Sequence, residues 1–181
     1  GAAKVLREAR QCGMITSADL VSEQSERFKT IIPLALQYVD ILFVNEFEAG
    51  MLTGIEICDE EGKCSVANAY QAADAILNAG VRRWVIIHFP KGAIALNKSG
   101  EKLFQPSVKM PAEKIKGSVG AGDAFAAGVL AGVHEDWTMA KSLLLGVNVA
   151  AASLMDASSS ESIVSWQECL KLGADFDYNM D

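Results

Sequence analysis

The residues best suited to chemistry lie in Gly117-Ser118-Val119-Gly120-Ala121-Gly122-Asp123-Ala124-Phe125, where three glycines surround one carboxylate. A run of small residues that includes Gly128 and Gly132 follows at once. Where a loop turns into a helix, successive backbone N–H groups can face an anion. Glycine permits both the close approach and the positive φ that such a nest needs. A carboxylate in the first helical turn is favoured by the helix dipole and stays ionised near neutral pH. Asp123 is therefore suited to take a proton from a hydroxyl. The chemistry implied is phosphoryl transfer.

A second polar group, Asn45-Glu46-Phe47-Glu48, directly follows Ile41-Leu42-Phe43-Val44. That short branched and aromatic run reads as a strand buried on both faces. The polar group then stands at its carboxyl end, where open α/β sheets bind ligands. Ala49 to Leu52 reads as a short helix stopped at Thr53-Gly54. Asn45 and Glu48 have the spacing of a capping box, N-cap and third helical position, and a capping role is compatible with a role toward a ligand.

These groups need a scaffold, and the composition supplies one. A length of 181 residues with 50% hydrophobic content suits one domain with a sizeable core. The net charge of −7 argues against non-specific binding to nucleic acid or anionic membranes, whose partners carry clustered Lys and Arg. No apolar run approaches the ~20 residues that span a bilayer, and the N-terminus has no signal-peptide pattern, so a cytoplasmic setting is expected. Cys12, Cys58, Cys64 and Cys169 form no Cys-x-x-Cys pair, and His88 and His134 lie far apart, which excludes a zinc reading. Free thiols are expected, although Cys58 and Cys64 flank a charged loop across which they could meet.

The chain opens on a helix, Ala2 to Cys12, with Gly13 as its stop. Met14 to Leu20 reads as a strand, and Ser25 to Tyr38 as a helix that breaks or restarts at Pro33. Ile55 to Ser65 is a polar loop. Ala67 to Ala79 is an amphipathic helix ended by Gly80. Val85-Ile86-Ile87 is a buried strand, with His88 a strand-end residue. Ala93 to Leu96 and Glu101 to Phe104 make a hairpin about Asn97-Lys98-Ser99-Gly100. Thr138 caps a helix reaching Met155. Ala157 to Ser162 is a Ser-rich linker, Val164 to Leu172 a terminal helix, and Ala174 to Asp181 a loosely ordered tail. An alternating α/β chain that begins on a helix suggests that earlier units are absent.

Ser118-Val119-Gly120-Ala121-Gly122-Asp123-Ala124-Phe125-Ala126-Ala127-Gly128 resembles the second signature of the ribokinase-like, or phosphofructokinase B-type, carbohydrate kinases. The resemblance implies a three-layer αβα fold with a mostly parallel sheet and a β-hairpin, and an ATP-dependent transfer to the hydroxyl of a sugar or related small molecule. It implies Asp123 as the base and Gly120, Ala121 and Gly122 as the anion hole, with Ser118 on the nucleotide side. Asn45 and Glu48 match the family's Asn-x-x-Glu element, which organises Mg²⁺, usually through water. Lys91-Gly92-Ala93 resembles a nucleotide-loop segment, although Phe89 and Pro90 depart from the glycine expected there. Asn148, among small residues, matches the helix beside the adenine. Gly117 stands where many members have the Asp that helps hold a monovalent cation, which removes the ground for expecting potassium activation.

Members are about 300 residues long, so the resemblance implies that residues 1–181 correspond to a single C-terminal nucleotide-binding and catalytic portion, without the acceptor-binding part and lid. A sheet edge left open by missing strands could be covered by a second copy, giving a homodimer. Two other readings stay open at this point: a nucleotide-binding or regulatory module without turnover, and an unrelated flavodoxin-like domain. The late position of the Asp123 loop and the hairpin weigh against the latter.

Overall fold

A computed structural model describes residues 1–21, 26–158 and 160–180, with residues 26–29 described by backbone alone. The chain divides into two compact units, Gly1–Phe89 with Ile94–Leu103, and Pro90–Ala93 with Phe104–Asp181. Five strands form one sheet in sequence order.

The first unit contains α1 (Ala2–Gln11), β1 (Ser17–Asp19), α2 (Glu26–Leu36), β2 (Ile41–Asn45), α3 (Glu46–Thr53), α4 (Val66–Asn78) and β3 (Trp84–Phe89). β1, β2 and β3 are parallel, with Ser17 opposite Ile41 and Ile41 opposite Trp84. Leu42, Val44, Val85 and Ile87 pack with Ala69, Ala72, Ala73 and Ile76 of α4 in one core. The intervening Phe43 and Ile86 are equally buried, as the unbroken apolar runs require of strands covered on both faces. Ser65 caps α4 by accepting the N–H of Asn68 at 3.2 Å.

Three expectations for this unit are revised. The first strand is confined to Ser17–Asp19, and Met14 and Ile15 are exposed. α2 runs through Pro33 without a break, while the start expected at Ser25 lies outside the described residues. The polar loop before α4 is closed by a Cys58–Cys64 disulfide, contrary to the expected free thiols, with Cys12 and Cys169 left free. The loop makes this possible because Asp59 folds it back: its carboxylate accepts the N–H groups of Glu61 at 3.1 Å and Lys63 at 2.8 Å. That turn sets the two cysteines opposite one another as an antiparallel bridge.

β4 (Gly92–Asn97) and β5 (Lys102–Pro106) form the expected hairpin. Asn97 shapes its turn, its side-chain oxygen accepting the N–H groups of Ser99 and Glu101, each at 3.0 Å.

The second unit is built on α5 (Ala121–His134) and α6 (Met139–Ser153). Their small residues let the backbones approach closely. A methyl group at Gly128 would stand 2.9 Å from Gly146 Cα, and one at Gly132 would meet Ser142 Oγ at 2.5 Å. Thr138 caps α6 as expected. The single terminal helix is instead two, α7 (Trp166–Cys169), opened by a Ser165–Glu168 capping box, and α8 (Leu172–Phe176). The tail is ordered rather than loose. Val108 and Tyr178 pair as an antiparallel bridge, and Asn179 bonds Ser107 through its backbone N–H at 2.9 Å and its side-chain amide at 2.8 Å.

Candidate active site

Asn45 ends β2 and caps α3. Its side-chain oxygen accepts the N–H of Glu48 at 2.8 Å, and a Glu48 carboxylate oxygen accepts the N–H of Asn45 at 2.9 Å. The capping box is therefore formed, and it fixes both side chains at the carboxyl end of the strand. Glu48 is only 3% exposed, a buried carboxylate that its own helix start holds in place. His88, the residue paired with Asn45 across the β2–β3 ladder, stands beside this element at the end of β3. Among the described residues no group of three or more His, Cys, Asp and Glu side chains could hold a metal ion. Asn45 and Glu48 offer oxygen donors of the kind that a hydrated Mg²⁺, which takes one or two protein oxygens and keeps most of its waters, accepts.

In the second unit, the segment from Ser118 to Asp123 folds into one tight turn. The Ser118 carbonyl accepts the N–H of Ala121 at 3.3 Å. Gly120 is the N-cap of α5 in a left-handed conformation, φ 81°, which only a residue without Cβ adopts at no cost. No side chain caps this helix. The N–H groups of Gly120, Gly122 and Asp123 have no acceptor among the described residues, because the first amides of a helix have no intrahelical partner. Asp123 lies in that first turn with its side chain exposed. The result is a set of backbone donors at a helix start beside an exposed carboxylate, groups suited to a phosphate and a hydroxyl.

Lys91 and Gly92 occupy the tight connection into β4. The Lys91 carbonyl accepts the N–H of Ser107 at 2.9 Å, and the Pro90 carbonyl accepts the Ser107 hydroxyl at 2.8 Å. Gly92 has φ 148°, and a Cβ there would overlap the Gln105 carbonyl oxygen and stand 2.8 Å from Pro106 Cα. Glycine is required by this packing whatever else the segment does. The Lys91 ammonium makes no ion pair among the described residues.

Asn148 is fully buried. Its amide nitrogen donates to the Leu144 carbonyl at 2.8 Å and lies 3.2 Å from the Tyr178 hydroxyl, and its oxygen accepts the N–H of Gly173 at 2.8 Å. These bonds pin α8 and the tail onto α6, a structural role the sequence reading did not include.

One charged constellation was not anticipated. The carboxylate of Asp40 gathers Arg10, Arg82 and Arg83 at the opposite ends of the same strands. The signal was present in the sequence: Asp40 directly precedes one strand and the Arg82-Arg83 pair directly precedes its neighbour. Parallel pairing brings strand starts together.

A family model described as pfkB family carbohydrate kinase matches residues 2–166. The chain belongs to the pfkB family of carbohydrate kinases. Among curated relatives, it is 27% identical over 136 residues to ribokinase of Haemophilus influenzae, covering 75% of this chain and 41% of that enzyme. It is 40% identical over 76 residues to 5-dehydro-2-deoxygluconokinase of Geobacillus kaustophilus, covering 42% of this chain and 21% of that enzyme. Among solved structures, Arabidopsis thaliana ribokinase complexed with ribose and ATP superposes with a TM-score of 0.79 at 22% identity, over 94% of this chain and 51% of that one. The fold is thus the three-layer α/β arrangement of ribokinase-like kinases, and this chain spans about half of the length of the solved relatives and less of the curated ones. No helix among the described residues is long and apolar enough to cross a membrane.

Proposed function

We propose that the protein transfers the γ-phosphoryl group of ATP to a hydroxyl of a sugar or related small alcohol, with residues 1–181 as one catalytic and nucleotide-binding portion. The observation that carries this reading is the bare left-handed turn at Gly120, whose amides lie next to the exposed carboxylate of Asp123. In this reading Asp123 accepts the proton of the attacking hydroxyl. The amides of Gly120, Ala121 and Gly122 receive the charge on the phosphoryl oxygens as the transition state forms. The Gly120 and Gly122 amides are unengaged among the described residues, and the Ala121 amide is held by the Ser118 carbonyl only at 3.3 Å, the long end of the hydrogen-bond range, so a ligand can draw on it as well.

Asn45 and Glu48 would hold hydrated Mg²⁺ at the end of β2. When bound, that ion offsets the charge of the polyphosphate. Ser118 and Lys91 are assigned to the nucleotide side, Lys91 because its ammonium is uncommitted and Ser118 because it opens the turn. Asn148 is assigned to the nucleotide side through the position of α6, which its bonds to Gly173 and Tyr178 fix. Gly117 supplies no carboxylate, so no monovalent cation is assigned. A cytoplasmic setting and a homodimer through the β1 end of the sheet complete the reading.

Calorimetric titration with a non-hydrolysable ATP analogue, with and without Mg²⁺, tests the nucleotide half. A turnover assay with ATP and a panel of pentoses and hexoses, in the protein that contains this chain, tests the transfer. The expected results are magnesium-dependent binding that Gly120→Asp weakens by about tenfold or more, and phosphorylation that Asp123→Ala lowers by about 10²–10⁴-fold. Binding without phosphorylation of any alcohol would replace the kinase reading with that of a nucleotide-sensing module.

A further inference from the structure

Of the five arginines in this chain, three converge on one carboxylate. Asp40 is buried just before β2, and Thr16 satisfies one of its carboxylate oxygens through its backbone N–H and its hydroxyl, both at 3.1 Å. Arg10 reaches the other oxygen at 2.8 Å, a true charge-assisted hydrogen bond. The Nε atoms of Arg82 and Arg83 stand 3.5 Å from that same oxygen, too far for a good hydrogen bond. The backbone explains why both are drawn there: the Asp40 carbonyl accepts the N–H groups of Arg83 at 3.0 Å and Trp84 at 2.9 Å, holding the start of β3 against it.

Three positive groups against one negative leave a surplus of two charges in a protein whose net charge is −7. One buried carboxylate with two oxygens already engaged cannot satisfy three guanidinium groups, each with five N–H donors. Arg82 and Arg83 make no hydrogen bond through their side chains among the described residues, and these side chains are 47% and 56% exposed. Like charges held this close repel one another, and a further anion on the solvent side would relieve that repulsion. The planar guanidinium fork matches the oxygens of phosphate in a way that lysine does not.

We propose that Arg10, Arg82 and Arg83 form a second anion site, at the amino ends of β1 to β3, that takes a multiply charged phosphate group, either free phosphate or a phosphomonoester. β2 is five residues long, so this cluster lies about 16 Å along the strand from the Asn45–Glu48 end. An anion there is too far from Asn45 and Glu48 to share their proposed ion. The site is therefore an effector or anchoring site, and it is independent of the kinase reading.

The test is a two-dimensional NMR titration of the ¹⁵N-labelled chain with sodium phosphate, with glycerol 3-phosphate, and with sodium chloride at matched ionic strength. The side-chain Nε–Hε signals of Arg82 and Arg83 should move saturably with the phosphates and not with chloride. Tighter binding of the monoester would identify a phosphorylated metabolite as the source, and equal or weaker binding would identify free phosphate. Arg82→Gln and Arg83→Gln should each weaken the response by about tenfold or more, while any response at Gly120 to Gly122 is retained. Arginine signals that stay still in phosphate, or that follow chloride equally, overturn the proposal and leave the cluster as counter-charge for Asp40. Signals that move only at Gly120 to Gly122 also overturn it, and they leave the kinase reading intact.

Discussion

Helix α3 begins with its amides accepted from within: Asn45 takes the N–H of Glu48, and Glu48 returns to the N–H of Asn45. Helix α5 begins with a left-handed glycine, no side-chain cap and amides at Gly120, Gly122 and Asp123 that find no acceptor among the described residues. α4, α6 and α7 follow the first pattern, with Ser65, Thr138 and Ser165 as their caps. A side-chain cap is typically worth about 1 kcal/mol, so a 14-residue helix that forgoes one gives up stability that its neighbours keep. The difference teaches where this protein keeps backbone donors available. Among the described residues the Gly120, Gly122 and Asp123 amides of α5 find no acceptor, so they stay available to solvent or a ligand, and α3 keeps its carboxylate charge to offer.

The strongest way to break this contrast is to remove the base. Asp123→Ala is expected to lower kcat by about 10²–10⁴-fold while the melting free energy moves by no more than about 0.5 kcal/mol, because the side chain is exposed. Steady-state assays beside thermal melts check both numbers. Turnover at the wild-type level would show that the open helix start is only architecture.

A smaller effect is expected from Gly120→Asp, which gives the bare turn an acidic group in a conformation that Asp tolerates. A resident negative charge at the α5 amides should weaken nucleotide binding by about tenfold or more, at a stability cost of about 1 kcal/mol for the left-handed backbone. Calorimetric titration reads the first quantity and urea melts the second.

The contrast sharpens at α3. Glu48→Gln keeps an oxygen for the cap and deletes the charge, so stability should hold within about 1 kcal/mol while the magnesium dependence of nucleotide binding is lost. Asn45→Ala should do the reverse in stability, costing about 1 kcal/mol through the cap. If Glu48→Gln leaves the magnesium dependence unchanged, Glu48 serves the cap alone.

Acid provides the mildest probe. Burial by itself would raise the Asp40 pKa, yet the hydrogen bonds from Thr16 and the charges of Arg10 and Arg83 hold it below the ordinary value. Its ionised form therefore contributes stability that is complete above the unfolded carboxylate range and fades as pH falls through the lower folded value. Asp40→Asn should flatten that acidic limb of the stability curve without altering the two helix starts. A limb as steep as that of the wild type would move the acid sensitivity to another carboxylate.

The fold was legible wherever periodicity and stop signals agreed. α4, the β4–β5 hairpin and α6 follow from the apolar stripe and Gly80, from Asn97 to Gly100, and from Thr138. The Gly120 turn and the Asn45–Glu48 pair were readable because each lies within a few consecutive residues. What escaped depends on contacts between distant residues. Asn148 reads locally as a polar flank on a helix, and only the return of Gly173 and Tyr178 shows that it pins α8 and the tail. The tail looked loose for the same reason, since its partners at Ser107 and Val108 are about 70 residues earlier. The Cys58–Cys64 bridge turned on how Asp59 bends the loop, which composition does not reveal.

The pinning of Asn148 also has a consequence for synthesis. A ribosome delivers α5 and α6 well before Gly173 and Tyr178, and until those two residues emerge the buried amide of Asn148 lacks two of its three partners. An unpaired amide in an apolar interior costs about 1–3 kcal/mol, a large share of what a small unit has to spare. The helical pair is thus held short of its final packing during translation. Its completion is timed by the arrival of the segment around Tyr178.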